Sequence, residues 1–163
     1  MQNHLLWSKK NNPDFQKNRM YLQPAQWNAL ATSSRPLSRK NLQAIRFTMA
    51  HQGIPDTIRG MIWVKVFDID SAKIEHSNIL YSKLCEFPND KACFDIKKDV
   101  DRTMSQLELW EEDLSCGNNK LFNVLKAYAN YDNEIGYVQG MNYIVAMLLF
   151  YITDEETVFW CLY

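Results

Sequence analysis

Apolar residues recur every three or four positions along most of this chain, which is the spacing of one buried face of an α-helix. No segment of useful length shows the alternation that is typical of a β-strand. The fold is therefore predicted to be all-α, an irregular array of helices. The pattern predicts helices over about 26–31, 38–52, 56–67, 72–86, 90–103, 120–133 and 139–151, with another beginning at the capping sequence Thr153-Asp-Glu-Glu156.

Individual residues predict where these elements begin and end. Ser38 is expected to cap the second helix and Gly53 to close it. In the helix over 72–86, the predicted inward residues include Ile74 and Leu80. Residues 104–116 are acidic and mixed in character, so they are interpreted as a loop that ends before Gly117-Asn118 and the next helix.

The distribution of polar residues predicts two parts of the chain. Residues 1–37 read as a polar leader and linker, partly helical, and residues 38–163 as the domain proper. The last predicted helix is still apolar where the sequence stops at Tyr163, so we expect the domain to continue beyond it.

Composition and charge narrow the class of protein. The 163 residues are 47% hydrophobic, as in a globular domain, and the net charge of −1 disfavours bulk nucleic-acid binding. Residues 1–60 nevertheless carry nine Lys and Arg against two Asp and Glu. This basic end is interpreted either as a solvated leader or as a contact for an acidic membrane surface or partner.

Several kinds of chemistry are disfavoured by what the sequence lacks. The four cysteines have no paired C-x-x-C spacing and no histidine in ligand spacing, so no metal site is predicted. No phosphate-cradling glycine loop occurs, and no cofactor or nucleotide of its own is expected. The uncharged stretch from Ile135 to Ile152 approaches the length of a membrane span, but its Gly and Gln residues favour a helix buried on all sides within a globular domain. Without an apolar leader, a cytoplasmic location is expected.

Candidate chemistry is concentrated in two short patterns. The first pattern is Ile96-Lys-Lys-Asp99-Val-Asp-Arg102-Thr103, in which Ile96, Asp99 and Thr103 share one helical face. Arg102 lies at the edge of that face and reaches outward. In Tyr137-Val-Gln139-Gly140, Gln139 is predicted to lie in a turn that exposes its side chain. Less specific interpretations are a surface ion pair between Asp99 and Arg102, and a Gln139 side chain that satisfies an amide at the helix start.

The two side chains suit phosphoryl transfer. Arginine supplies a permanent planar positive charge for a γ-phosphoryl group, and glutamine can hold an attacking water through its donor and its acceptor. Neither forms a covalent bond, and phosphoryl transfer depends mainly on positioning and charge stabilisation.

With Arg59-Gly-Met-Ile-Trp63 upstream, these patterns resemble the three signature motifs of the TBC domain, the GTPase-activating module for Rab proteins. The family writes them R-x-x-x-W, I-x-x-D-x-x-R-T and Y-x-Q-G, in that order, and every named position is intact. The resemblance begins near Trp27, is firm from Gly53 to Tyr163, and implies the N-terminal part of a TBC domain.

The resemblance implies a regulator of vesicle trafficking that stimulates GTP hydrolysis in trans and is not itself a GTP hydrolase. Its partner would be a GTP-bound Rab-family small GTPase, which brings the magnesium with its nucleotide, and peripheral contact with endomembranes is an accompanying expectation. Arg102 would be an arginine finger and Gln139 a glutamine finger. A non-catalytic GTPase-binding or scaffold module is the alternative.

Six further residues are predicted to support the two fingers. Asp99 is expected to position a guanidinium, and Arg59 is its candidate partner. The remaining supports are Trp63 as a packing residue, Thr103 as a helix-end hydroxyl, Tyr137 as an anchor of the glutamine by packing, and Gly140 as a site of close approach.

Overall fold

The computed structural model describes residues 21–106 and 114–163. Every regular element in these two ranges is helical, which confirms the all-α prediction. A short 3-10 turn over Asp56–Ile58 precedes α3. The α-helices are α1 (Pro24–Thr32), α2 (Arg39–Gln52), α3 (Arg59–Val66), α4 (Ile69–Glu75), α5 (Tyr81–Glu86), α6 (Asp90–Gln106), α7 (Leu114–Tyr131), α8 (Met141–Tyr151) and α9 (Glu155–Leu162).

The chain divides into two compact units, and the first ends at Ile62. Its second helix has the predicted ends. The Ser38 hydroxyl accepts a hydrogen bond from the Asn41 amide at 3.2 Å, and Gly53 ends the helix with a φ of 78°. A left-handed φ of this kind is easily adopted by glycine, and it allows the chain to turn away after α2.

The second unit runs from Trp63 to Tyr163 and is organised around α7. This helix packs against α5, α6, α8 and α9. Each fully buried aliphatic or aromatic side chain contributes about 1.5–3 kcal/mol relative to exposure, so α7 provides the main support for the helices around it. The side chains that meet in this core include Ile96, Val100, Leu121, Leu125, Val145, Val158 and Phe159.

The predicted helix over 72–86 is wrong, because two helices occur there. The His76 amide bonds to the Ala72 carbonyl at 3.0 Å and ends α4, and the Ile79 amide bonds back to the His76 carbonyl at 2.9 Å in a turn. As a result, Ile74 is 77% exposed and Leu80 is 48% exposed, against the prediction that both face inward.

The predicted loop over 104–116 is wrong at both edges. Helix α6 continues to Gln106, and α7 begins at Leu114 rather than near residue 120. Residues 107–113 lie outside the described ranges. The Gly117-Asn118 pair is inside α7, because the cost of about 1 kcal/mol for a helical glycine is smaller than the gain from burying the apolar face that follows.

Helix α8 is buried on one side only. Val145 is fully buried, whereas Tyr143 and Met147 are each 49% exposed, so the expectation of a helix buried all round is wrong. Within the described ranges, none of the helices has the length and apolar character required to span a bilayer. Helix α9 is capped by Asp154 rather than Thr153, since the Asp154 carboxylate accepts from the Thr157 amide at 2.9 Å.

Candidate functional site

Helix α6 presents one face to the core and Arg102 to solvent. Ile96 and Thr103 have no exposed surface, and Asp99 is only 7% exposed, as the spacing predicts for a shared face. The Arg102 side chain is 63% exposed. The helix thus anchors a solvent-facing guanidinium through the buried residues beside it.

The Arg102 guanidinium is held by two contacts from its own helix. Its Nη2 forms an ion pair with the Asp99 Oδ1, and its Nε donates a hydrogen bond to the Lys98 carbonyl at 3.2 Å. The predicted i,i+3 ion pair therefore forms, but with a buried rather than a solvated carboxylate. A planar group with fixed donors at two edges loses much of its rotational freedom.

Tyr137 binds the other oxygen of the same carboxylate. Its hydroxyl donates a hydrogen bond to Asp99 Oδ2 at 2.8 Å. Burial and the neighbouring Asp99 carboxylate raise the pKa of the Tyr137 hydroxyl well above its usual range, so it remains a donor. The predicted anchoring by packing is therefore supplemented by a hydrogen bond that links the two motifs.

Gln139 lies in a turn whose shape depends on Gly140. The Met141 amide bonds to the Val138 carbonyl at 3.1 Å, and Gln139 is exposed at the tip. Gly140 has a φ of 106°, and a Cβ added there would meet nothing within 4 Å. The backbone conformation, rather than crowding, accounts for the glycine in this structure.

Asn142 connects the glutamine turn to α6, and the sequence interpretation missed it. Its Oδ1 accepts from the Gly140 amide at 2.9 Å, and its Nδ2 donates to Thr103 Oγ1 at 2.5 Å. Thr103 in turn donates to the Asp99 carbonyl at 2.6 Å. A polar residue just inside an apolar helix was the available signal, and Asn142 is 2% exposed.

Thr103 lies in the last turn of α6. The helix ends three residues later, at Gln106, rather than at Thr103 as the predicted bounds had it. Its hydroxyl both donates and accepts inside the core, and this double use explains how a polar side chain is fully buried there.

The two candidate fingers line a single concave surface, here called the finger surface. It encloses about 290 Å³ and is lined by Asp95, Lys98, Asp99, Arg102, Tyr137 and Gln139. An adjoining hollow of about 140 Å³ is lined by Asp99, Arg102, Gln139, Asn142 and Tyr143. Arg102 and Gln139 come from separate segments and are brought together at both hollows.

Arg59 and Trp63, from the first motif, contact residues outside this surface. The Arg59 guanidinium forms an ion pair with Asp56 at 2.5 Å and donates to the Ile54 carbonyl at 2.8 Å. Its predicted pairing with Asp99 stays a prediction. Trp63 is half-buried and packs edge-to-face on Tyr151 at the end of α8, with 5.1 Å between ring centroids, as expected of a packing residue.

A metal centre is not indicated by this geometry. Among the described residues, no group of three or more His, Cys, Asp or Glu side chains is arranged to hold a metal ion. The cations that line the finger surface are the side chains of Lys98 and Arg102. Such a surface suits contact with an anionic group that another molecule supplies.

The family model for the Rab-GTPase-TBC domain matches residues 56–163. The chain therefore belongs to the TBC domain family, and the residues that line the finger surface all lie within the matched range.

Individual relatives agree with this assignment. The human ecotropic viral integration site 5 protein homolog is 31% identical over 132 residues, which are 80% of this chain and 15% of that protein. The Caenorhabditis elegans Rab GTPase-activating protein tbc-11 is 31% identical over 110 residues, which are 64% of this chain and 11% of that protein. The chain thus spans a small part of these relatives' length.

A solved structure supports the fold. The crystal structure of the Chlamydomonas flagellar RabGAP TBC domain matches with a TM-score of 0.71 and 24% identity, over 99% of this chain and 53% of that chain. At this identity the likeness concerns the fold and not the activity.

Proposed function

We propose that this chain stimulates GTP hydrolysis by a GTP-bound Rab-family small GTPase and supplies Arg102 and Gln139 to its active site in trans. The observation that carries the proposal is that these two side chains line one exposed concave surface, although they come from α6 and from the turn before α8. Membership of a family whose relatives include a protein named as a Rab GTPase-activating protein indicates the same partner.

Arg102 would stabilise charge on the γ-phosphoryl group. Its side chain is largely exposed, so it is accessible to a bound partner, and the buried Asp99 carboxylate limits its orientations. A guanidinium placed in advance avoids part of the ordering cost during reaction. An arginine finger increases the rate of GTP hydrolysis by about 10³–10⁵-fold, which corresponds to about 4–7 kcal/mol of barrier.

Gln139 would orient the attacking water. An exposed carboxamide carries both a donor and an acceptor, so it can accept a hydrogen bond from the water and donate one to a phosphoryl oxygen. The turn places it at the same surface as Arg102, and the Asn142 bond to Gly140 restrains the backbone next to it. Positioning of this kind is the main contribution that a protein makes to phosphoryl transfer.

The GTPase and this chain would each supply different groups to the reaction. The GTPase supplies the nucleotide and its magnesium, and this chain supplies a cation and a water-positioning amide. We therefore propose a regulator that acts in the cytoplasm during vesicle trafficking, and contact with endomembranes accompanies its proposed Rab partner.

Single-turnover GTP hydrolysis by a panel of purified Rab proteins tests the proposal. The chain is expected to accelerate at least one of them, and Arg102→Lys is expected to lose most of that stimulation because a point charge does not replace the planar fork. Lys97→Arg is the matched control, since Lys97 is exposed on the same helix and does not line the finger surface. Full stimulation by Arg102→Lys would contradict the arginine role.

Gln139→Ala tests the role of the glutamine separately from that of Arg102. The same assay distinguishes GTPase activation from the alternative function of binding alone. Loss of stimulation with retained binding to a GDP-loaded Rab carrying a γ-phosphate mimic is the expected result. Gln43→Ala on α2 is an exposed control. Binding by the unsubstituted chain without any stimulated turnover would instead indicate a GTPase-binding module.

A further inference from the structure

The finger surface contains a second cation that the proposed mechanism does not use. Lys98 lines this surface together with Arg102 and is exposed. It lies four residues before Arg102 on α6, which is about 6 Å along the helix axis. Its ammonium group is therefore available to a molecule that docks at the surface.

The Lys98 side chain has a defined direction. Its Nζ lies over the ring of Phe94, 3.8 Å from the centroid, although Phe94 itself is 62% exposed. A cation over an aromatic face is attracted by the ring, and the contact reduces the freedom of the lysine. Because Phe94 is one turn closer to the start of α6, the ammonium is directed along the helix away from Arg102.

Asp95 lies beside this cation with the opposite charge. It lines the finger surface on the same stripe of α6, whereas Asp99 is already engaged with Arg102 and Tyr137. The exposed rim therefore carries one negative and one positive group at neighbouring positions. Charges at the rim of an interface mainly change encounter and partner choice, and buried groups near the reacting atoms change the chemical step.

We infer that Lys98 is a docking residue that binds a surface carboxylate of the partner GTPase, with Asp95 opposing acidic partners at the same rim. The inference rests on the proposed function and identifies which charge on the partner is favoured. A carboxylate is favoured over a nucleotide phosphate because the Phe94 contact turns the ammonium away from the position of Arg102. Lys98 would thus influence which GTPases bind, and Arg102 and Gln139 would act on the reaction.

The test measures kcat and KM separately, with the Rab protein that the panel shows to be stimulated most, at several salt concentrations. Lys98→Met is expected to raise KM about two- to five-fold, the range for an exposed ion pair, with unchanged kcat and a weaker dependence on salt. Lys98→Arg should retain the original KM. Asp95→Asn should lower KM, because it removes the opposing charge.

Lys97→Met is the matched control, because it removes a charge from the neighbouring exposed position outside the surface. It is expected to leave both constants unchanged. An unchanged KM in Lys98→Met would overturn the docking role, and so would a loss confined to kcat, which would assign the lysine to the phosphates. Failure of the unsubstituted chain to stimulate any Rab would overturn the proposed function and this inference together. Stimulation by the unsubstituted chain is therefore measured first, before the variants are compared.

Discussion

The two candidate fingers are supported in different ways. Arg102 belongs to a helix of 17 residues, and its support is a side chain, the buried Asp99. Gln139 belongs to a short turn, and its support is a restrained backbone formed by Gly140 at a φ of 106° and by the Asn142 bond to the Gly140 amide.

The difference follows from the two side chains. A helix fixes the arginine backbone through its repeated hydrogen bonds, but the long side chain retains many rotamers and needs a carboxylate to limit them. The shorter glutamine follows its backbone closely, so the turn must be fixed instead. We therefore expect that loss of the support of Arg102 lowers mainly the rate of stimulated GTP hydrolysis. Loss of the support of the Gln139 turn should lower mainly the free energy of unfolding.

Among the changes that test this comparison, Asp99→Ala on the arginine side is expected to have the largest effect. Without the carboxylate, Arg102 keeps its position in the helix but loses its orientation, and misplacement on the scale of 1 Å can cost about 10²-fold in rate. Single-turnover GTP hydrolysis with the stimulated Rab measures this loss.

Asp101→Ala is the matched control, because Asp101 is an exposed carboxylate on the same helix that does not line the finger surface. It should leave stimulation unchanged. Equal stimulation by both variants would show that the guanidinium does not need the buried carboxylate.

Asn142→Ala is the corresponding change on the glutamine side. It removes the acceptor of the Gly140 amide and the donor to Thr103, and loss of buried partners costs about 1–3 kcal/mol. Urea denaturation followed by tryptophan fluorescence measures the lost free energy of unfolding. Asn133→Ala, in an exposed turn, should change it by less than about 0.5 kcal/mol. A similar change in both variants would remove the proposed role of the buried amide.

Much of the arginine side was predictable because its determinants are local. The spacing of Ile96, Asp99 and Thr103 defines a helical face directly, and the structure buries all three. The edge position of Arg102 follows from the same geometry. The pair with Asp99 was also available from sequence, although its burial was not, since that depends on helices that are distant in sequence.

The glutamine side was predictable only as a turn. Its support by Asn142 depends on Thr103, which is 39 residues away, and one sequence gives no information on that pairing. Some helix boundaries were predicted wrongly for a related reason. Periodicity continues through 72–86, but the turn after His76 divides it into two helices, and α7 extends over Gly117 because tertiary packing outweighs local propensity.

Tyr137→Phe is expected to have the smallest effect on the free energy of unfolding. It tests whether the segment that carries Gln139 also supports Asp99, the residue that holds Arg102. The change removes only the hydroxyl that donates to Asp99, and it should cost about 0.5–1.5 kcal/mol of unfolding free energy. Tyr128→Phe is the control, because its hydroxyl makes only a long 3.4 Å bond to Asp132 near the surface, and it should cost less.

A double-mutant cycle of Tyr137→Phe with Asp99→Ala then measures the connection itself. Groups in direct contact show coupling energies of about 0.5–3 kcal/mol, whereas independent groups are additive within about 0.3–0.5 kcal/mol. We expect coupling, because the Asp99 carboxylate accepts from Tyr137 on one oxygen and pairs with Arg102 on the other. Additive losses would mean that the Tyr137 hydroxyl does not support the Asp99 carboxylate, and that Asp99 orients Arg102 without help from Tyr137.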